Sequence, residues 1–255
     1  MSLKNKVVLI TGGAEKAGKI FAKEFAQKGA KVVISYAAFA REAAEETIKE
    51  LQEIESDCMA IEADMRDIPA LRNMIKVIEE KYGCLDVLIN NACNFNDQPM
   101  EEVTEEIWDS SMDIILKGTF FLCQAAVPLL KKNKNSKIIG ISGNSYYENW
   151  PNFIPHSIAK TGLVKMMQLL AITLSPDIQC CAICPSSYLD SDSGDGILAR
   201  RGEKLSENGD VLYVNGVPLH RGNPYEVAEF LLFLSNCNAY FNGDVISLDG
   251  GKKLI

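Results

Sequence analysis

The chain has little histidine and little tryptophan, two residues of each in 255. It also lacks any surplus of positive charge. A formal net charge of -8 excludes nucleic acid and anionic membranes as the main partner. No uninterrupted hydrophobic run reaches the roughly 18–20 residues of a membrane span. The start, Met1-Ser2-Leu3-Lys4-Asn5-Lys6, leads straight into an apolar strand without a signal-peptide cleavage site, so the expected location is the cytoplasm. Repeats, linkers and low-complexity tracts are missing too, and residues 1–255 are expected to form one domain.

No metal site is expected. The eight cysteines sit mostly in apolar runs, as small buried hydrophobes do in a reducing compartment. Cys181 and Cys184 form a C-x-x-C, but Cys180-Cys181-Ala182-Ile183-Cys184 reads as a strand that sends them to opposite faces. The histidines, His156 and His220, are distant from it in sequence.

What is present is a regular alternation. Apolar strand runs are expected at 6–10, 31–35, 58–62, 86–90, 137–141, 178–184 and 244–248, several without polar alternation, as parallel strands buried on both faces require. Helical patterns fall near 18–28, 41–55, 68–82, 103–132, 155–174 and 224–235, with Phe21 and Phe25, or Leu71, Ile75 and Ile78, on single faces. This predicts an α/β fold, a Rossmann-type doubly wound parallel sheet of about seven strands with helices on both faces. The least regular stretch, 186–222, follows a strand's carboxyl end and is expected to be a substrate or lid loop.

After the first strand comes Thr11-Gly12-Gly13-Ala14-Glu15-Lys16-Ala17-Gly18 and then a helix, the setting in which glycines let backbone approach a pyrophosphate at a helix N-terminus. Further along stand Ala63-Asp64-Met65, Asp86-Val87-Leu88-Ile89-Asn90-Asn91-Ala92-Cys93 and a tail from Pro218 to Gly251. In order and spacing these resemble the short-chain dehydrogenase/reductase family, in particular its 3-oxoacyl-acyl-carrier-protein-reductase-like branch, over essentially the whole chain. The resemblance implies an NAD(P)-binding oxidoreductase acting on a small carbonyl or alcohol. It implies cofactor contacts from Thr11, Gly12, Lys16, Ala17, Gly18, Tyr36, Arg41, Asp64, Met65, Asn91, Ala92, Lys160 and Pro185. It also implies a homodimer or homotetramer packed through the two long helices, whose apolar surface includes Phe120, Phe121, Leu122, Leu163, Met166, Met167 and Leu170.

The second strand ends in Ser35-Tyr36-Ala37-Ala38, with no acid to bind the ribose hydroxyls of NAD. Arg41 and Lys16 are positioned to meet a 2′-phosphate, so NADP is favoured over NAD. Lys16 stands where the family has glycine and is expected to be strained if its φ is positive.

The family's chemistry uses a tyrosine, a lysine four residues later, a serine thirteen residues before the tyrosine, and an asparagine on the preceding long helix. Here Lys160 keeps its place, His156 takes the tyrosine's, Gly143 the serine's and Ile115 the asparagine's. Cys181, Ser186 and Asp190 are further departures around the sixth strand. Ser142 is one residue off and faces the wrong side of a strand, whereas Asn144 or Ser145 is placed to swing in from the loop. Tyr146 and Tyr147 lack the offset to Lys160. Three functions remain open: an oxidoreductase with His156 as substitute acid, a dinucleotide-binding sensor or partner subunit without turnover, and a scaffold without cofactor.

Overall fold

Alternate residues of the first strand, β1 (Val7–Thr11), enter two different cores, Val7 and Leu9 one, Val8 and Ile10 the other. That division explains the uninterrupted apolar run and defines a sheet covered on both faces. In a computed structural model, the structure describes residues 2–186, 188, 198 and 202–255. Chain order continues with α1 (Lys16–Gln27), β2 (Lys31–Tyr36), α2 (Arg41–Ile54), β3 (Met59–Glu62), α3 (Ile68–Tyr82) and β4 (Val87–Asn90). Next are α4 (Glu105–Leu130), β5 (Ser136–Ile141), α5 (Ile154–Thr173) and β6 (Ile178–Pro185). The last elements are β7 (Glu203–Leu205), β8 (Val211–Val214), β9 (Val217–His220), α6 (Pro224–Asn236) and β10 (Val245–Leu248).

Seven strands pair in parallel in the order β10-β6-β5-β4-β1-β2-β3. Winding reverses between β1 and β4, and at such a switch point the carboxyl ends of the strands open a ligand crevice. Local chemistry sets the helix limits. Asp67 accepts the Ala70 N–H at the start of α3, and Gly83, left-handed at φ 75, stops it. Asn223 and Glu226 form a reciprocal capping box on α6.

Three expectations change. Residues 203–220 are not loop alone: β7, β8 and β9 form a three-stranded antiparallel sheet. Asn215 (φ 50) and Gly216 (φ 79) make the two-residue hairpin turn between Val214 and Val217, where both central residues need positive φ. Leu198, Leu205, Leu212, Val214 and Leu219 form its own small apolar cluster. Residues 187, 189–197 and 199–201, and with them Asp190, lie outside the described residues.

Second, α4 is long and apolar enough, by length and composition, to cross a membrane. Its wide turn over Met112–Lys117 and its Pro128 interrupt neither the rod nor its packing, and Leu122, Cys123, Ala126, Leu129 and Leu130 lie in the core beside the sheet. Third, Leu122, Leu163, Met166 and Met167 are core residues, not surface. The exposed apolar side chains of α4 and α5 are Trp108, Phe120, Ile158, Leu169 and Ile172.

Candidate active site

Because the large sheet is parallel, Thr11, Tyr36, Asn91, Gly143 and Pro185 all reach or follow strand ends on one edge. The glycine turn is locked to the loop after β4. Thr11 Oγ1 accepts the N–H groups of Asn91 and Ala92, each at 3.0 Å, while Asn91 Nδ2 donates to the carbonyls of Thr11 (2.8 Å) and Gly12 (3.2 Å). A Cβ on Gly18 would collide with the Gly12 carbonyl oxygen and lie 2.9 Å from Asn91 Nδ2. Lys16 has a φ of 49, so the strain expected of a lysine there is present. Ala17 is buried behind the turn. Glu15 at the start of α1 is extended and makes no side-chain cap, so the first-turn amides have no side-chain partner. A backbone cradle with open amides fits a pyrophosphate, and the residues present therefore fit a nicotinamide dinucleotide.

At the far side of this turn, Gly13 N–H donates to the Ser35 carbonyl (3.1 Å), and Tyr36 pairs in register with Glu62 of β3. Arg41 is not free: its Nε and Nη2 donate to Glu62 Oε2 at 3.0 and 2.7 Å, which holds the guanidinium even more firmly protonated. Asp64 is bound by Arg66, Nη2 to Oδ2 at 2.6 Å, and hydrogen bonding from that guanidinium keeps its carboxyl below the usual range. Met65 is buried, its carbonyl against Gly118 of α4. Glu62 and Arg66 escaped the sequence reading: Arg66 pairs with Asp64 two residues away, and Glu62 at the end of β3 pairs with Arg41 at the start of α2, 21 residues away.

The chemical end differs in kind. His156 and Lys160 occupy the first turns of α5, both buried. Lys160 Nζ donates to the Ile141 carbonyl (2.6 Å), and Ser142 Oγ donates to the Lys160 carbonyl (3.0 Å), so Ser142 is committed to joining strand and helix. His156 Nδ1 lies 2.9 Å from the Asn94 carbonyl oxygen, an acceptor only, so the ring carries its proton on Nδ1. Nε2 keeps its lone pair and has no hydrogen-bond partner among the described residues. Burial, then the Lys160 charge, depress the His156 pKa to about 3. Burial and the Lys160 charge therefore favour the neutral imidazole at pH 7 and disfavour the protonated form that a proton donor needs.

Aromatic rings surround the imidazole. Phe95 meets it edge-on at 5.0 Å between centroids, Trp150 lies parallel at 6.5 Å, and Phe153 stacks on Phe95 at 4.4 Å. Gly143 is extended and leaves room, since an added Cβ would meet Ser145 Oγ no closer than 3.9 Å. That hydroxyl is itself buried and has no hydrogen-bond partner among the described residues. Asn144 turns away, its Nδ2 donating to Glu148 Oε1 (2.6 Å), and Tyr147 Oη reaches the Val245 carbonyl at 3.5 Å. Ile115, 1 % exposed, fills the asparagine's place with hydrocarbon. Cys181 and Cys184 enter opposite cores, and burial raises their thiols to about 12 and about 11. Among the described residues no group of three or more metal-ligating side chains occurs.

Comparison with known proteins places these features. The short chain dehydrogenase family model matches residues 6–197. A probable 2,4-dienoyl-CoA reductase of Bacillus subtilis is 34% identical over 261 residues, covering 99% of this chain and 98% of its own length. The 3-oxoacyl-acyl-carrier-protein reductase FabG of Thermotoga maritima is 31% identical, covering 98% and 99%. Among solved structures, a short chain dehydrogenase from Bacillus anthracis superposes with a TM-score of 0.82 at 30% identity, covering 98% of this chain and 97% of that one. A Burkholderia cenocepacia short chain dehydrogenase in complex with NADP shares the fold, with a TM-score of 0.85 at 24% identity and coverage of 99% of each chain.

Proposed function

The chain belongs to the short chain dehydrogenase family of NAD(P)-dependent oxidoreductases, and from that premise we propose that it oxidises a small alcohol with His156 Nε2 as the proton acceptor. The observation that carries this reading is the single tautomer of His156, its Nδ1 proton held by Asn94 and its Nε2 lone pair free of any described partner. A bound nicotinamide would supply the acceptor for the hydride of the carbinol carbon. Thr11, Gly12, Ala17 and Gly18 hold the pyrophosphate by backbone, while Asp64, Met65, Asn91 and Ala92 border the adenosine and Pro185 the nicotinamide. Lys16 and Arg41 supply the positive charge that favours NADP over NAD. Nε2 would accept the hydroxyl proton as the carbonyl forms; burial and the Lys160 charge make it a weak base, so the proton is passed on at once and does not rest on the imidazole. Ser145 Oγ, buried and unsatisfied beside Gly143, is the hydroxyl nearest the place of the missing serine.

Residues 1–255 act as one domain in this reading, and the 186–222 segment borders the substrate. The exposed apolar side chains of α4 and α5 supply the contact of a homodimer or homotetramer. Eight free cysteines fit a cytoplasmic protein. A second reading, a dinucleotide-binding subunit without turnover, is favoured by Ile115, which leaves Lys160 no polar relay on α4.

The test is oxidation of a panel of secondary alcohols and β-hydroxyacyl thioesters, and reduction of the matching ketones, with each nucleotide. Oxidation is expected to be level between pH 5 and 8, because His156 does not titrate there, and to fall about 100-fold in His156→Gln. An unchanged rate in that variant removes His156 from the chemistry. Nucleotide binding without turnover of any substrate selects the second reading.

A further inference from the structure

Around the adenosine end of the crevice the chain places two cations and two acids: Lys16 and Arg41, Glu15 and Glu62. Glu15 lies in the turn itself, whereas Glu62 reaches this position from the neighbouring strand. The β2 end carries Tyr36 where an acid would bind the ribose hydroxyls. Its register partner on β3 is Glu62, one inter-strand spacing of about 4.8 Å away. Both Arg41 hydrogen bonds go to the same oxygen, Oε2. Oε1 accepts none among the described residues, so the carboxylate has an open acceptor as well as a captive guanidinium.

We propose that Glu62 sets the choice between NADP and NAD, standing in from β3 for the acid that β2 lacks and withholding Arg41 from a 2′-phosphate. The inference rests on the reading that the crevice binds a nicotinamide dinucleotide. A 2′-phosphate approaching this corner draws Arg41 away from Glu62 and meets a second negative charge. A free 2′-hydroxyl instead donates to Oε1 and leaves the pair intact. Arg41 and Glu62 are 60% and 38% exposed at their side chains, so opening the pair in water costs little and the selection is graded, not absolute. The NADP preference that Arg41 and Lys16 confer is therefore held down by Glu62.

Calorimetric titration of NADPH and NADH into wild type, Glu62→Gln and Arg41→Ala tests this directly. Glu62→Gln is expected to shift the affinity ratio toward NADPH by about tenfold, whether by tightening NADPH or by weakening NADH. Arg41→Ala shifts it the other way. Because the pair is exposed, the melting temperature of Glu62→Gln should stay within about 2 °C of wild type. A ratio within twofold of wild type, or a shift toward NADH, overturns the role of Glu62 while leaving dinucleotide binding in place. Wild-type protein that binds neither nucleotide at millimolar concentration overturns the dinucleotide reading, and Glu62's role with it.

Discussion

The dinucleotide turn and the chemical centre depart from the family pattern in opposite ways. In the turn a single change, Lys16, strains the backbone and leaves every other contact in place. Thr11, Gly12, Asn91 and Ala92 hold one another through four hydrogen bonds, and Gly18 closes against Gly12. At the centre three changes, Ile115, Gly143 and His156, remove polar groups without adding a positive-φ residue. Gly143 is extended at φ −177, Ile115 is packed among core side chains, and His156 fits an aromatic box. Cofactor shape is carried by backbone geometry, which few side chains disturb, whereas chemistry is carried by side chains that can be exchanged at little cost to the fold.

Gly18→Ala attacks the backbone side of this contrast and is expected to have the largest effect. The added methyl cannot avoid the Gly12 carbonyl without opening the turn. A loss of about 3 kcal/mol is expected, together with at least about a 100-fold loss of nucleotide affinity. Chemical denaturation and titration measure the two. Retained affinity would mean that the turn is not the cofactor cradle.

Much of the fold was legible because each local signal agreed with the global one. Val7–Thr11 reads as a strand buried on both faces and is one, and the α3 pattern ends where Gly83 supplies a left-handed residue. The β7–β9 sheet was not read, although Asn215-Gly216 is a strong hairpin signal, because the Ser, Asp and Gly before it marked the whole stretch as loop. Candidate site positions were read from spacing to Lys160 and from the glycine turn. Their environments did not. Asn94 lies 62 residues from His156 and acts through its backbone carbonyl, which any residue type supplies. The Arg41–Glu62 pair spans 21 residues and joins the start of α2 to the end of β3, which pairs in register with β2. The tyrosine-to-histidine change is visible in the sequence, but the tautomer and the depressed pKa come only from packing.

The buried histidine gives the centre a stability cost that the turn lacks, and acid reveals it. His156 is neutral in the folded protein down to about pH 3, whereas an unfolded-chain histidine gains its proton near pH 6.5. Above pH 6.5 neither state is protonated and His156 adds no pH dependence. As the pH falls below 6.5 the unfolded chain binds the proton first, and the folded state loses about 2 kcal/mol by pH 5. Urea unfolding at pH 7 and pH 5 should show wild type losing about 2 kcal/mol more than His156→Gln. Equal losses would mean that the imidazole is solvated and free to act as an acid.

Lys16→Gly is the smallest change and sharpens the comparison from the other side. A lysine at φ 49 carries roughly 1 kcal/mol of strain that glycine does not. Glycine also enlarges the unfolded ensemble, which offsets about half of that relief. A net gain of about 0.5 kcal/mol follows, a rise of about 1–2 °C in melting temperature. The turn's hydrogen bonds do not involve the Lys16 side chain, so they survive the substitution. The sign is the informative quantity. Stabilisation shows that the turn tolerates lysine through the strength of its remaining contacts, whereas destabilisation shows that the lysine side chain has become part of what holds the turn.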